Sequence, residues 1–248
     1  MRTKTVFDMD NTLIPNKYYA DAVDEFVLQM QRIFNGEKTA EEISDLQREI
    51  DRKKLLISGF KEDRFALSMV STYEALCTMM NKPVKEEIKR ISYNIGMSVF
   101  DEEAWKKNDL LPGVQETLEF LLSKGHELYL LTEGVEKWQK RKIEVTSLRK
   151  WFNNEKNNYL CVEGGKNAAH LLQLVNNEVA KSSYVGDKKT RDVSLAVDAG
   201  VLPIYIPEND PRDNKFFGEN KDDPLDATAI ELRSIIELKH RYEEVFQK

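Results

Sequence analysis

Apolar positions change their spacing twice along this chain and divide it into three stretches. The first, Thr5-Val6-Phe7, is a short β-branched and aromatic run that stops at Asp8, the pattern of a buried strand. From about Tyr18 to Phe100 the spacing is helical: Ala22, Phe26, Met30 and Phe34 form one stripe, and Phe65, Met69, Tyr73, Leu76 and Met80 another. Breaks at Asn35-Gly36, Ser58-Gly59 and Asn81-Lys82-Pro83 predict about four helices, with no strand pattern among them.

After Pro112 the pattern alternates between helix and strand, which predicts βαβ units and a parallel sheet. Strands are expected at Leu128–Leu131, Tyr159–Val162, Ser183–Asp187 and Leu202–Ile206. Helices are expected from about Pro112 to Ser123, Val135 to Leu148, Asn167 to Asn177 and Thr190 to Ala199. The stretch Pro207–Pro224 reads as an irregular loop, and Asp226 as the cap of a terminal helix carrying Ile230, Ile235, Leu238 and Phe246. The first strand and those after Pro112 would share one sheet. The expected fold class is therefore α/β: a core of residues 1–15 and 109–248, with an all-helical insertion at 16–108.

Composition narrows the partners. Net charge is -6 and acids and bases are interspersed, which argues against a nucleic-acid or anionic-membrane surface and leaves a small molecule as the expected partner. The two cysteines, Cys77 and Cys161, have no CxxC spacing, so neither a zinc site nor a disulfide framework is expected. No apolar run approaches the ~18 residues of a membrane span. The N-terminus leads straight into acids without a signal-peptide apolar region, so a cytoplasmic location is expected.

Asp8 and Asp10 stand two apart at a strand end, where period-two geometry points both carboxylates one way if the chain stays extended. Neighbouring carboxylates repel, and a hard divalent cation held by oxygen ligands relieves that repulsion. One acid is suited to attack phosphorus as a nucleophile and its neighbour to move protons. A second acid pair, Asp187 and Asp192, follows Gly186 after another β-rich run, and acids from two strand ends converge in the crevice of an open α/β sheet. Thr132, with the amides of Glu133 and Gly134, would offer donors to phosphate oxygens, and Lys166 a positive charge. Gly164-Gly165-Lys166 lacks the full GxxxxGK[ST] pattern of a nucleotide-binding loop.

In this order, Asp8-Met9-Asp10-Asn11-Thr12, Thr132, Lys166 and Gly186-Asp187 with Asp192 resemble the four motifs of the haloacid dehalogenase superfamily. The resemblance implies a Rossmann-like core with a helical C1-type cap. It implies Asp8 as nucleophile and magnesium ligand, Asp10 as general acid/base and a ligand through its backbone carbonyl, and Asp187 as the third protein ligand. Asp192 would support metal-bound water or orient Lys166, while Thr132 and Lys166 would bind the transferring phosphoryl group. Glu133 departs from the usual Asn or Ser, and Asn167 from the Pro that often follows the lysine. Within the cap, Lys61 and Arg64 are read as solvated helix charges rather than contacts to an anionic substrate.

Asp10 points to the phosphotransferase branch, because dehalogenases and phosphonatases of the superfamily usually lack an acid there. The expectation is a magnesium-dependent phosphatase that hydrolyses a small phosphorylated metabolite through an aspartyl phosphate. A phosphomutase of the same fold and a non-catalytic binding or regulatory module are the alternatives.

Overall fold

Strand β1, Lys4–Phe7, is buried along its whole length because it lies at the centre of a parallel sheet, with neighbours on both edges and cover on both faces. A computed structural model of the chain describes residues 3–207 and 223–247. The sheet also contains β2 (Glu127–Glu133), β3 (Tyr159–Val162), β4 (Ser182–Gly186), β5 (Leu202–Tyr205) and β6 (Ile230–Glu231), in the order β3-β2-β1-β4-β5-β6. All five pairings are parallel. Adjacent residues of β1 serve opposite faces: Phe7 joins Leu130, Val185, Leu118 and Phe152 on one, and Val6 joins Leu131, Tyr184, Leu171 and Val175 on the other.

The chain divides into two compact units, one of Met1–Asn16 with Glu102–Lys248 and the other of Lys17–Asp101. Helix α5 (Glu102–Lys107) therefore groups with the sheet, although the expected bounds of the insertion, 16–108, include it. The sheet unit continues with α6 (Val114–Ser123), α7 (Glu136–Val145), α8 (Ala168–Leu174) and α9 (Ser194–Asp198).

The other unit is built from α1 (Tyr18–Ile33), α2 (Ala40–Ser58), α3 (Arg64–Met79) and α4 (Glu86–Met97), separated at the three expected breaks. Thr39 and Glu42 start α2 with a reciprocal capping box. At Gly96 the backbones of α3 and α4 approach so closely that a Cβ would lie 2.4 Å from the Cα of Ala66. Arg64 corrects its sequence reading: it is buried and ion-paired with Asp51, whereas Lys61 is exposed.

One element differs in kind. Instead of a helix starting at Asp226, Ile230 lies in β6, and the helical turns Glu237–His240 and Tyr242–Phe246 follow later. Asp226 accepts from the Thr228 amide at 2.8 Å in a turn, the alternative use of an aspartate that could also cap a helix. Most of the expected loop Pro207–Pro224 lies outside the described residues. Among the described residues, no helix is long and apolar enough to cross a membrane.

Candidate active site

The strand order reverses direction between β1 and β4, so the chain leaves these two adjacent strands toward opposite sides and a crevice opens at their carboxyl ends. Asp8 follows β1 and Asp187 follows β4. Pairing of Phe7 with Val185 brings those two ends level. Beyond Asp8 the strand does not continue; the chain folds over, with Asn11 at φ 62 and its amide donating to the Ile14 carbonyl at 2.7 Å. Asn can occupy this left-handed region at low cost, which lets the turn form directly behind the acids.

Asp192 reaches the same place from a π-helical turn, Lys189–Val193. Its approach explains Gly186, since a Cβ there would lie 2.4 Å from the Asp192 side chain. Oxygen atoms of Asp8, Asp187 and Asp192 all lie within 4.8 Å of one another, and all three residues are buried.

Lys166 ties this cluster together. Its Nζ donates to Asp8 Oδ1 at 2.8 Å, to Asp192 Oδ1 at 2.6 Å and to the Tyr184 hydroxyl at 2.9 Å. Asn167 then caps α8, its side chain accepting from the His170 amide at 3.2 Å. The residue that departs from the family pattern thus starts the helix and fixes the chain just after Lys166.

The electrostatics follow from burial. Burial pushes the Asp8 carboxyl up to about 6, against the pull of Lys166 and with help from the charges of Asp192 and Asp10. Burial also drives Asp187 well above the ordinary carboxylate range, opposed by Lys188, whose Nζ lies 2.9 Å from Asp187 Oδ2. Asp192 lies below its ordinary value: burial opposes ionisation there, and the Lys166 ammonium, together with the Lys188 amide and the charge of Arg191, outweighs it. Lys166 in turn is held well above its ordinary value, because Asp192 and Asp8 overcome its burial.

These oxygens suit a hard divalent cation. The set is carboxylate only, it is close enough to share one ion, and it carries more acid than its lysines offset. Asp187 Oδ2, despite its ion pair with Lys188, lacks an aligned hydrogen bond. A buried carboxylate oxygen in that state has coordination capacity to spare.

Asp10 is placed differently from its neighbours. Its carboxylate lies outside the three-acid cluster and accepts from Lys142 Nζ at 2.7 Å and Gln139 Nε2 at 3.0 Å. Sequence reasoning missed both partners. They are one turn apart on α7, but nothing in the helix's own pattern shows that this face turns toward the end of β1. Tyr184 was missed as well, since an aromatic in a buried strand reads as core.

Thr132 and Glu133 lie inside β2, which runs further than its apolar stretch. Thr132 is buried with its hydroxyl 2.7 Å from Gln139 Nε2. The Gly134 amide donates to the Val162 carbonyl at 2.9 Å, so it serves the strand edge and is not a free donor for phosphate. The Glu133 carboxylate accepts from the Lys166 amide at 3.0 Å and pairs with Arg191, so its charge is compensated.

A profile of the haloacid dehalogenase-like hydrolases matches residues 5–200, a span that contains every one of these site residues. Among curated proteins no relative matches the chain. Solved structures with a similar fold include a haloacid dehalogenase-like family hydrolase from Xanthomonas campestris, at 19% identity and TM-score 0.74, covering 99% of this chain and 92% of that one. A predicted phosphoglycolate phosphatase from Haemophilus somnus 129pt is similar at 16% identity and TM-score 0.57, covering 97% and 98%. The L-2-haloacid dehalogenase from Xanthobacter autotrophicus aligns at 13% identity and TM-score 0.62, covering 99% and 100%. With the profile spanning most of its length, the chain belongs to the haloacid dehalogenase-like hydrolases.

Proposed function

We propose that this hydrolase is a magnesium-dependent phosphatase acting on a small phosphorylated metabolite. The observation that carries the reading is the buried convergence of Asp8, Asp187 and Asp192 around Lys166. The similar structures include dehalogenases as well as a predicted phosphatase, so the choice between the two chemistries rests on Asp10. A carboxyl group beside the nucleophile serves a reaction whose leaving group needs a proton, as an alkoxide does and a halide does not.

In this reading Asp8 attacks phosphorus, forming a bond from its carboxylate oxygen while the bond to the substrate oxygen breaks. Asp10 enters the reaction as its acid and gives that proton to the departing oxygen; as the carboxylate that Lys142 and Gln139 then hold, it takes a proton back from the water that cleaves the aspartyl phosphate. Lys166 and Thr132 hold the phosphoryl oxygens, and Asp192 keeps Lys166 in place. Asp8 and Asp187 by their carboxylates, and Asp10 by its backbone carbonyl, would hold the magnesium ion. Bound there, the ion offsets the charge of the acids and of the phosphate. The helical unit would serve as the cap, which excludes water and selects the substrate.

The test is release of inorganic phosphate from an aryl phosphate with magnesium present, run beside chloride release from a 2-chloro acid. Phosphate release that stops with chelator and in Asp8→Asn supports the proposal. Chloride release without phosphate release assigns the chain to the dehalogenases instead.

A further inference from the structure

Gln139 exchanges no proton in those steps, yet its side chain is buried where three groups meet. Its Nε2 lies 2.7 Å from Thr132 Oγ1, 2.8 Å from the Glu133 carbonyl oxygen and 3.0 Å from Asp10 Oδ2. A backbone carbonyl and a carboxylate paired with Lys142 are acceptors, so the amide must face them with its nitrogen. The amide nitrogen has two hydrogens for three acceptors and accepts none itself. At 2.7 Å, the shortest of the three contacts, Thr132 Oγ1 can therefore only accept from it, while the Glu133 carbonyl and Asp10 share the other hydrogen. A hydroxyl that accepts on one side keeps its own hydrogen for an acceptor elsewhere.

The surroundings hold Gln139 in this pose. Gly134, at φ 138, leaves room for it: a Cβ there would come 3.3 Å from the Gln139 Cδ and Cγ atoms. With the Gly134 amide committed to Val162, the Thr132 hydroxyl is a donor that the end of β2 can still offer.

We propose that Gln139 is a positioning residue: by donating to Thr132 Oγ1 it orients the Thr132 hydroxyl as a donor to the transferring phosphoryl group. This rests on the reading of Thr132 as a phosphate contact. Gln139 also donates to Asp10 Oδ2, but toward the phosphoryl group it acts only through the direction of the Thr132 proton, which is why the test reads phosphate binding and not turnover.

A double-mutant cycle read by calorimetric titration of inorganic phosphate, with magnesium present, tests it. Thr132→Val removes the hydroxyl and keeps the shape, and Gln139→Met removes the amide at similar volume. Each is expected to weaken phosphate binding about tenfold, the ordinary worth of one hydrogen bond. The double variant should bind no more weakly than Thr132→Val alone. Additive losses, about a hundredfold in the double variant, would overturn the role of Gln139 while leaving Thr132 as a phosphate contact. Unchanged binding in Thr132→Val would remove that contact and this inference with it. Should Gln139→Met not fold, Gln139→Ala completes the same cycle.

Discussion

The helical unit and the sheet unit each bury a cluster of charged and polar side chains, and only one of the two is balanced. In the helical unit Arg64 faces Asp51, and beside them Gln47 Nε2 donates to Ser68 Oγ at 3.0 Å, which donates to the Phe65 carbonyl at 2.7 Å. Gln47 Oε1 and Arg64 Nε lack partners, but the charges cancel. In the sheet unit three carboxylates share Lys166 and Lys188, and a carboxylate oxygen has no aligned hydrogen bond. Burial of charge alone does not distinguish a site from a structural pair. An excess of one sign does, because such a cluster is at its most stable only with something else bound.

The widest separation between the two clusters is expected in activity. Asp8→Asn should lower the rate of phosphate release by about a thousandfold or more, the scale on which loss of a nucleophile acts. Asp51→Asn should leave the rate of the folded enzyme within about threefold. Its cost should appear in urea unfolding, at about 3–5 kcal/mol, because Arg64 is left as a buried charge without its partner. A wild-type rate in Asp8→Asn would end the nucleophile assignment, and wild-type stability in Asp51→Asn would show that the helical cluster is not a structural pair.

The sequence carried the acids better than their surroundings. Asp8, Asp187 and Asp192 were legible because each follows a strand pattern and a parallel sheet gathers strand ends. Gln139, Lys142 and Tyr184 were not legible, because what gives them a role is the tertiary direction of a helix face and of one strand residue. The Gly134 amide was expected to serve phosphate, but the strand pairing of β2 with β3 claims it first. At the C-terminus, Ile230 and the apolar residues after it fit a helical stripe. The open edge of β5 recruits Ile230 instead, a tertiary preference that overrides local pattern. The four helices of the other unit were legible because each stripe is long and each break contains Gly, Asn or Pro.

His126 extends the comparison to a buried group that is satisfied and neutral. Its Nδ1 lies 2.9 Å from Thr5 Oγ1 and its Nε2 3.0 Å from the Tyr242 hydroxyl, and burial pushes its pKa down to about 4. An unfolded imidazole takes up its proton near pH 6.5, and the folded one only near 4, so between these values the unfolded state binds more protons. The contribution is complete above pH 6.5 and is lost as the pH falls toward 4, by up to about 3 kcal/mol. Urea midpoints at pH 7 and pH 4.5 should therefore differ more in wild type than in His126→Gln. Equal differences would mean that this ring titrates alike in both states.

The smallest expected effect is also the one whose sign separates the clusters. Asp187→Asn removes one of three crowded carboxylates, so with chelator present the variant should be more stable than wild type, by about 1 kcal/mol. Asp51→Asn moves the other way under the same conditions. Magnesium should then reverse the order of wild type and Asp187→Asn. Wild type gains stability from the bound ion, about 2.7 kcal/mol at a hundred times its dissociation constant, and a variant without that ligand gains much less. If Asp187→Asn were destabilising in chelator and equally responsive to magnesium, the acids of the sheet unit would be as self-sufficient as the pair in the helical unit. Excess charge would then not be the feature that marks the site.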